Sequence, residues 1–461
     1  MSTGNTVRST LGAVDGDRVR ALQHVLYRAA KADPGRRFHA LFDKICRTDV
    51  LQRAWVQVRR NKGAPGIDGV SIADVEEYGV GRLLGELAAA LADGSYRPLP
   101  ARRVYIPKPG SEGERRPLSV PAVSDRIVQA AARIVLEPVF EAGFLPCSFG
   151  FRPGLDPRDA LQVLIDESWR GRRWVVETDI KDCFGQIPKD ALMQAVEERV
   201  SDRRVLKLLR AMLGAGVMED GRVEHPLTGT AQGSVISPLL CNIYLHRIDR
   251  AWSVRAHGVL VRFADDAAVM CKDRRQAEAA LARYVALLAG LGLEPKAAKT
   301  RIVHLTADAE EGVDFLGFHH RLVAVTSRRT GRKFAFLARW PKDAKMQYAR
   351  DRIREITSRP RLRLPIGQIV KEINAFLRGF AGYFRFGNSA RALEKLQWYA
   401  FERLAKFVAE RHKRSWAFGR WVVGIASPDR LGLLSLDGII VAPRHDKPWR
   451  GKPNAGGEER R

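Results

Sequence analysis

The sequence predicts an α+β fold, because three stretches of the chain differ in their pattern of apolar residues. Residues 17–100 repeat apolar side chains mostly at helical spacing. Residues 103–318 alternate short apolar runs of β type with helices. Residues 321–378 hold sixteen Lys or Arg against four Asp or Glu, a net charge of +12, and helices rich in Trp, Tyr and Phe follow. We therefore expect a helical region, a mixed region and a basic helical module, in that order.

The helices of the first region are expected over 18–32, 37–61 and 83–93. The Gly- and Pro-rich segment 62–69 separates the last two, because these residues favour turns. The clearest helix of the mixed region is the alanine-rich 275–291, which ends at Gly292.

A basic β-hairpin is expected over 102–121, leading into a helix that begins near Asp125. The hairpin and the helix contribute three cationic side chains, Lys108, Arg116 and Arg126, which are candidates to hold a triphosphate. A solvated, positively charged hairpin is the simpler interpretation of any one of them.

Two predicted strands carry three carboxylates. Residues 260–270 form two short apolar runs joined at Asp265 and Asp266, which predicts a hairpin with both aspartates at its tip. Residues 174–180 predict another strand, with Asp179 near its end. An acidic hairpin tip alone is more often a solvated turn. Three carboxylates at one sheet edge, however, suit two hard divalent cations that promote phosphoryl transfer, and Mg²⁺ is the natural candidate.

Two further features lie between these strands. The Gly- and Ser-rich segment 229–240 runs into an apolar helix at Pro238, and within it Gln232 is a candidate to hydrogen-bond a nucleotide. A plain helix entry explains that segment equally well. Phe184, five residues after Asp179, is either an ordinary core aromatic or a ring that fills the space a ribose 2′-hydroxyl needs. In the second case it selects deoxynucleotides.

Composition favours an enzyme that acts on nucleic acid. The chain has 461 residues, 45% of them hydrophobic, and a formal net charge of +26, which implies a polyanionic partner. No long apolar run or signal-peptide pattern is present, so a cytoplasmic protein is expected. The five cysteines are scattered without paired spacing, which argues against a zinc module or a disulfide framework.

The motifs, in their order along the chain, resemble those of bacterial group II intron reverse transcriptases, also called maturases. The resemblance covers residues 61 to about 421. It rests on these runs: Gly63-Ala64-Pro65-Gly66-Ile67-Asp68-Gly69, Arg116-Pro117-Leu118, Ser148-Phe149-Gly150-Phe151-Arg152-Pro153-Gly154, Thr178-Asp179-Ile180-Lys181, Gln232-Gly233-Ser234, Phe263-Ala264-Asp265-Asp266, Leu293-Glu294-Pro295-Lys296, Phe315-Leu316-Gly317-Phe318 and Ile373-Asn374-Ala375-Phe376-Leu377-Arg378-Gly379.

The resemblance implies a right-hand polymerase with fingers, a palm built on an antiparallel sheet, and a helical thumb or X domain. It divides the chain into an N-terminal helical extension (1–60), fingers and palm (61–318), thumb and X domain (319–425), and a C-terminal segment with a disordered tail (426–461). The activity it implies is RNA-directed DNA synthesis by a protein that also assists intron splicing. The implied partners are intron RNA as template, a DNA primer or target, and deoxynucleoside triphosphates, but no membrane.

Residue by residue, the resemblance implies that two Mg²⁺ ions bind Asp179, Asp265 and Asp266. It implies a nucleotide pocket formed by Lys108, Arg116, Arg126, Ile180, Phe184, Gln232 and Lys299. It implies RNA or primer contacts by Phe315, Leu316, Gly317 and Arg378.

The sequence also departs from the family pattern. Phe263 stands where Tyr is usual, Ala231 where Pro is usual, and Gly185-Gln186 replaces a frequent Asp-containing pair. The endonuclease that many relatives carry after the thumb is not expected here. Two alternatives stay open: a free-standing reverse transcriptase in phage defence or a CRISPR locus, and an RNA-splicing chaperone that no longer synthesises DNA.

Overall fold

The structure is a computed structural model that describes residues 17–107, 115–230, 233–326, 330–425 and 431–443. Lys108, Gln232 and most of the expected C-terminal tail lie outside the described residues.

Helices make up the larger part of the described chain. They are α1 (Arg18–Ala32), α2 (Phe42–Ile45), α3 (Thr48–Arg60), α4 (Ile72–Tyr78), α5 (Val80–Asp93), α6 (Val123–Glu141), α7 (Pro157–Trp169), α8 (Cys183–Gln186), α9 (Lys189–Glu197), α10 (Arg203–Gly214), α11 (Ser237–Ala251), α12 (Val254–His257), α13 (Arg274–Gly290), α14 (Asp343–Ile356), α15 (Ile366–Phe384), α16 (Ala390–Arg411) and α17 (Trp416–Arg420).

The strands form three sheets. They are β1 (Ala101–Pro107), β2 (Arg115–Val120), β3 (Trp174–Asp179), β4 (Val217–Glu219), β5 (Arg222–Glu224), β6 (Val259–Phe263), β7 (Asp266–Cys271), β8 (Arg301–His304), β9 (Val313–Phe315), β10 (Phe318–Thr326) and β11 (Lys333–Pro341). The sheet orders are β2-β1-β4-β5, β6-β7-β3-β8 and β11-β10-β9. The second sheet is antiparallel throughout.

The antiparallel sheet β6-β7-β3-β8 separates two hydrophobic cores. Val176 and Val269 belong to the core that contains α6, α11 and α13, whereas Val175 and Met270 belong to the core that contains α7 and α14–α16. Neighbouring residues of a strand point to opposite faces, so each strand contributes to both cores. Burial of each such side chain contributes about 1.5–3 kcal/mol, which fixes the strand register and with it the residues at the sheet edge.

Several expected elements agree with the structure. The helix expected over 18–32 is α1, and the basic hairpin is β1 and β2, followed by α6. The helix expected over 275–291 is α13, after which Gly292 takes a left-handed φ of +67°. The helix expected over 37–61 is wrong as a single element, because α2 and α3 are separate, and α4 was not expected.

The sequence predicts that the basic module after residue 320 is helical, and the structure contradicts this for the first part of the module. Its first part is a hairpin of β10 and β11. The strands pair along their whole length, from Phe318 opposite Pro341 to Thr326 opposite Lys333. Helices α14, α15 and α16 follow and pack around a shared apolar core. Among the described residues, no helix combines the length and apolar character needed to cross a lipid bilayer.

Candidate active site

Three aspartates meet at one edge of the antiparallel sheet. β6 and β7 pair up to Phe263 and Asp266, so Ala264 and Asp265 alone connect them. Asp179, the last residue of β3, lies directly opposite Asp266 in the strand register. The backbone N–H of Ile180 donates to the carbonyl of Asp265 at 3.4 Å. The strand pairing thus gathers the carboxylates of two segments that are far apart in sequence.

The charges at this edge are crowded. Burial, followed by the nearby charge of Asp179, raises the pKa of Asp266 to about 7. The same two causes, in the same order, raise the pKa of Asp265. Lys299 donates from Nζ to Oδ2 of Asp179 at 2.6 Å. Burial alone would lower the pKa of Lys299, but its hydrogen bond and charge interaction with Asp179 outweigh burial and raise that pKa.

A cleft of about 100 Å³ opens beside these carboxylates. Residues of five parts of the chain line it, namely Glu177, Thr178, Asp179, Asp266, Lys299, Asp314, Leu316, Gly317 and Lys342. Asp179, Asp266 and Lys299 therefore share one surface with Leu316 and Gly317, for which the resemblance implies RNA or primer contact.

Leu316 and Gly317 form the two-residue connection between β9 and β10. Both have positive φ, +50° and +79°, as a tight hairpin turn requires, although such a φ is unusual for leucine. Tyr383 of α15 donates from its hydroxyl to the carbonyl of Leu316 at 2.8 Å, so α15 holds the turn in place. Phe315 is buried beneath it, whereas Arg378 lies on the exposed face of α15 and does not line the cleft.

Two residues of the cleft were missed by the sequence analysis. Asp314 accepts a hydrogen bond from His319 at 2.9 Å and lies 3.9 Å from the ammonium of Lys342. Burial opposes ionisation of Asp314, but His319 and Lys342 outweigh it and lower its pKa. Lys342 thus places a second ammonium, besides that of Lys299, on the cleft wall. Neither residue has a local motif that distinguishes it from surface charge.

A buried arginine, Arg262, stabilises the turn that carries Asp265 and Asp266. Its role was not predicted from the sequence. Arg262 is fully buried and pairs with Asp249 through Nε and Nη2, at 2.9 and 2.6 Å. Its remaining donors reach Asn242 Oδ1 and the carbonyl of Ala264 through Nη1, and Ser148 Oγ through Nη2. All five guanidinium N–H groups are therefore satisfied, one of them by the turn itself.

The segment that contains Gly150 packs directly against the same turn. A side-chain Cβ at Gly150 would overlap the backbone nitrogen of Ala264 and lie 2.9 Å from the carbonyl carbon of Phe263. Asn242 donates to the carbonyl of Gly150 at 2.7 Å. Only glycine permits this close approach, which explains part of the motif from Ser148 to Gly154 in structural terms.

The predicted nucleotide residues occupy different environments. Phe184 lies in α8, half-buried against the core, and its carbonyl accepts a hydrogen bond from Thr230 N at 2.7 Å. The side chain of Ile180 is buried in that core. The segment before residue 231 therefore contacts the short helix that carries Phe184.

The two predicted arginines also differ. Arg116 lies exposed on β2, close enough to Asp265 for its charge to oppose part of the rise in that residue's pKa. Arg126 is buried, and its guanidinium donates to the carbonyl of Pro121 at 2.8 Å and to that of Ala64. In this structure Arg126 joins the 62–69 loop to the start of α6.

The acidic edge fits divalent cations. Among the described residues, no three His, Cys, Asp or Glu side chains already stand as a metal centre. The donor set nonetheless consists of hard carboxylate oxygens. Burial, and after it the charge of Asp179, raises the pKa values of Asp265 and Asp266, an effect that a nearby cation would compensate. The ammonium of Lys299 on Asp179 supplies part of that compensation.

The sequence of the chain is similar to those of known proteins. Residues 106–320 match the family described as reverse transcriptase (RNA-dependent DNA polymerase), and residues 346–423 match the group II intron, maturase-specific domain. Protein YkfC of Escherichia coli is 34% identical over 353 residues, which are 67% of this chain and 90% of YkfC.

Two intron proteins are also similar. The group II intron-encoded protein LtrA of Lactococcus lactis is 36% identical over 213 residues, 46% of this chain and 35% of LtrA. A 91 kDa protein in the cob intron of Schizosaccharomyces pombe is 36% identical over 183 residues, 40% of this chain and 21% of that protein. The matched part is thus about a third or less of these two relatives. With both domain matches in order along one sequence, the chain belongs to the family of group II intron reverse transcriptases and maturases.

Proposed function

We propose that the chain is an RNA-directed DNA polymerase that copies group II intron RNA into DNA and, as a maturase, binds that RNA to assist splicing. One observation carries the catalytic part of this proposal. The cleft joins Asp179, Asp266 and Lys299 to the Leu316–Gly317 turn, so an acidic site and a candidate primer contact share one surface.

The proposed layout is that of a right hand. The sheet β6-β7-β3-β8 with α11 and α13 behind it corresponds to the palm, and the hairpin β1–β2 with α6 to the fingers. Helices α14–α16 correspond to the thumb and X domain. The proposed boundaries remain 1–60, 61–318, 319–425 and 426–461.

In this proposal Asp179, Asp265 and Asp266 hold two Mg²⁺ ions, which when bound activate the primer 3′-hydroxyl and stabilise the leaving pyrophosphate. The protein contributes the placement of the carboxylates. The strand register sets Asp179 opposite Asp266, and Arg262 holds the carbonyl of Ala264.

Other side chains orient the substrates. Lys299 and Arg116 bring positive charge to the acidic edge and attract the triphosphate, as does Lys108 from a segment outside the described residues. Gln232, which also lies outside the described residues, hydrogen-bonds the nucleotide. Phe184 contacts the nucleotide sugar and disfavours a 2′-hydroxyl. The Leu316–Gly317 turn, held by Tyr383, contacts the primer end.

The two alternatives make different demands on the chain. A splicing chaperone without synthesis has no need of three crowded, partly buried carboxylates, whose mutual repulsion costs stability. A free-standing reverse transcriptase has no need of a maturase-specific domain, which residues 346–423 match. Both features therefore favour the intron enzyme.

Primer extension tests the proposal. Purified protein with Mg²⁺, an RNA template and a DNA primer should incorporate deoxynucleotides, and Asp265→Asn should abolish extension while RNA affinity stays within about threefold. The thermal unfolding midpoint of Asp265→Asn should not fall, because the change removes one of several crowded charges. Retained extension in a folded Asp265→Asn protein would show that this edge is not the catalytic site.

A further inference from the structure

Three tryptophans are unusually exposed on the last helices of the thumb segment. Trp398 of α16 is 57% exposed, Trp416 of α17 is 53% exposed and Trp421 is 51% exposed. Large aromatic side chains that cluster on a surface often mark a binding site. None of the three lines the cleft of the proposed catalytic site.

Planar groups are stacked within this surface. The guanidinium carbon of Arg420 lies 4.7 Å from the ring centroid of Trp416 and 5.5 Å from that of Trp398. Trp398 in turn stacks on Phe401, with centroids 5.4 Å apart and planes inclined by 23°. The order Trp416, Arg420, Trp398, Phe401 is therefore a row of flat π and cationic surfaces, which we call the tryptophan row.

The tryptophan row is held by close packing of α17 on α16. A Cβ at Gly419 would overlap the carbonyl of Ala405, so the two helices approach as only glycine allows. Ser415 caps α17 by accepting from Phe418 N at 3.3 Å, and Arg420 pairs with Glu402 at 3.4 Å. The row is thus arranged before any partner arrives, which lowers the entropic cost of binding.

The positive charge around the tryptophan row indicates which class of molecule the row binds. Residues 390–421 contain eight Lys or Arg and three Glu, a net charge of +5. Lys395 is exposed one helical turn before Trp398, and Lys413 and Arg414 are exposed just before α17. Within the row Arg420 and Phe401 engage Trp398, so Trp416 stands at the end of the row. An aromatic ring in that place, bordered by cations, suits a base and the phosphates of a single strand, because base faces are buried within a duplex.

We propose that the tryptophan row binds unpaired bases of single-stranded RNA by stacking. The inference rests on the proposed maturase function and deepens it, because it names unpaired segments of the intron, rather than its helices, as the partner of this surface. Base identity matters little here, since every base offers a π face.

Binding of two synthetic probes tests this inference. The full chain is titrated with a twelve-nucleotide adenine RNA and with an abasic RNA backbone of the same length and charge. The adenine RNA should bind at least about fivefold more tightly and quench tryptophan fluorescence, because stacking adds to a shared phosphate contribution. Equal affinities for the two probes would overturn the inference.

Variants locate the effect. Trp416→Ala and Trp398→Ala should each reduce the affinity for adenine RNA at least about threefold and leave that for the abasic backbone unchanged, whereas Trp416→Phe should retain most of the difference. Trp169→Ala is the matched control, because Trp169 is 59% exposed and belongs to α7, which contributes no residue to the row. An equal loss in Trp169→Ala would also overturn the inference.

Two further measurements separate the possible failures. If the row variants change the oligomeric state in sedimentation and leave RNA binding unaltered, the surface binds a second copy of the chain and the inference is wrong. If the unmodified protein extends primers but does not distinguish the probes, this inference alone fails. If it distinguishes the probes but does not extend primers, the proposed polymerase function fails instead.

Discussion

At the scale of single residues, the buried Arg262–Asp249 pair is the strongest candidate for a stabilising charge interaction near the site. Burial opposes ionisation of Asp249, but Arg262 outweighs burial and lowers the pKa of Asp249 to about 2. Asp249→Asn would leave the Arg262 charge buried with only neutral partners. We expect it to lower the free energy of unfolding by about 3–5 kcal/mol near pH 7, measured by urea denaturation.

The pH dependence of this loss of stability follows from the direction in which folding shifts the pKa of Asp249. Because the folded-state pKa of Asp249 lies below its unfolded value of 3.8, its stabilisation is complete above about pH 4 and disappears as the pH falls towards 2. The gap between the unmodified protein and Asp249→Asn should therefore be constant from pH 8 to 5 and shrink below pH 4. A gap that stays constant down to pH 3 would contradict this account.

Phe184 allows a second test at the same scale. It is half-buried in α8, five residues after Asp179, so truncation removes a ring near the acidic edge with limited loss of core packing. Phe184→Ala should increase incorporation of ribonucleotides relative to deoxynucleotides by about tenfold or more, measured as the ratio of kcat/KM values in primer extension. Phe184→Tyr is the control, because it keeps the ring. Unchanged discrimination in Phe184→Ala would assign the ring to core packing alone.

At the scale of elements, the contact between the Gly150 segment and the β6–β7 turn should be essential for activity. Gly150→Ala forces a Cβ against the backbone of Ala264, which cannot yield without moving Asp265. We expect at least a hundredfold loss of primer extension together with a lower unfolding midpoint. Gly85→Ala in α5 is the control, because open space surrounds Gly85 and alanine favours a helix. Normal extension by Gly150→Ala would show that the turn tolerates displacement.

The same scale shows which elements local sequence could predict. The helix over 18–32 and the hairpin with the two aspartates at its tip depend on patterns within their own residues, and both agree with the structure. The β10–β11 hairpin was missed because its basic composition concealed a strand period. Phe318, His320 and Leu322 are buried alternately, as expected for a strand with one covered face.

At the scale of the whole molecule, the predicted convergence of Asp179 with Asp265 and Asp266 agrees with the structure, but the support beneath them could not be foreseen. Arg262 draws its partners from the segment at Ser148, from Asn242 and Asp249 of α11, and from Ala264 in its own hairpin turn. The sequence shows only a single arginine within an apolar strand. No rule of residue spacing relates that arginine to its hydrogen-bond partners. The site therefore depends on tertiary contacts that a linear pattern does not encode.

The net charge of +26 leads to a prediction for the complete protein. If the basic segment 321–378 neutralises about six to ten phosphates of intron RNA, affinity should fall by about 10³–10⁵ between 50 and 200 mM salt, because binding releases condensed counterions. Filter binding across that range measures the slope of log affinity against log salt. Arg378→Gln should reduce the slope by about 0.7–0.9 if Arg378 contacts one phosphate.

Trp416→Ala should instead lower affinity at every salt concentration and keep the slope, because stacking releases few counterions. The pair of variants thus separates the contribution of charge from that of stacking within the proposed RNA-binding region. A slope near zero for the unmodified protein would refute phosphate contact as the main source of affinity. The basic segment 321–378 would then have a function other than RNA binding.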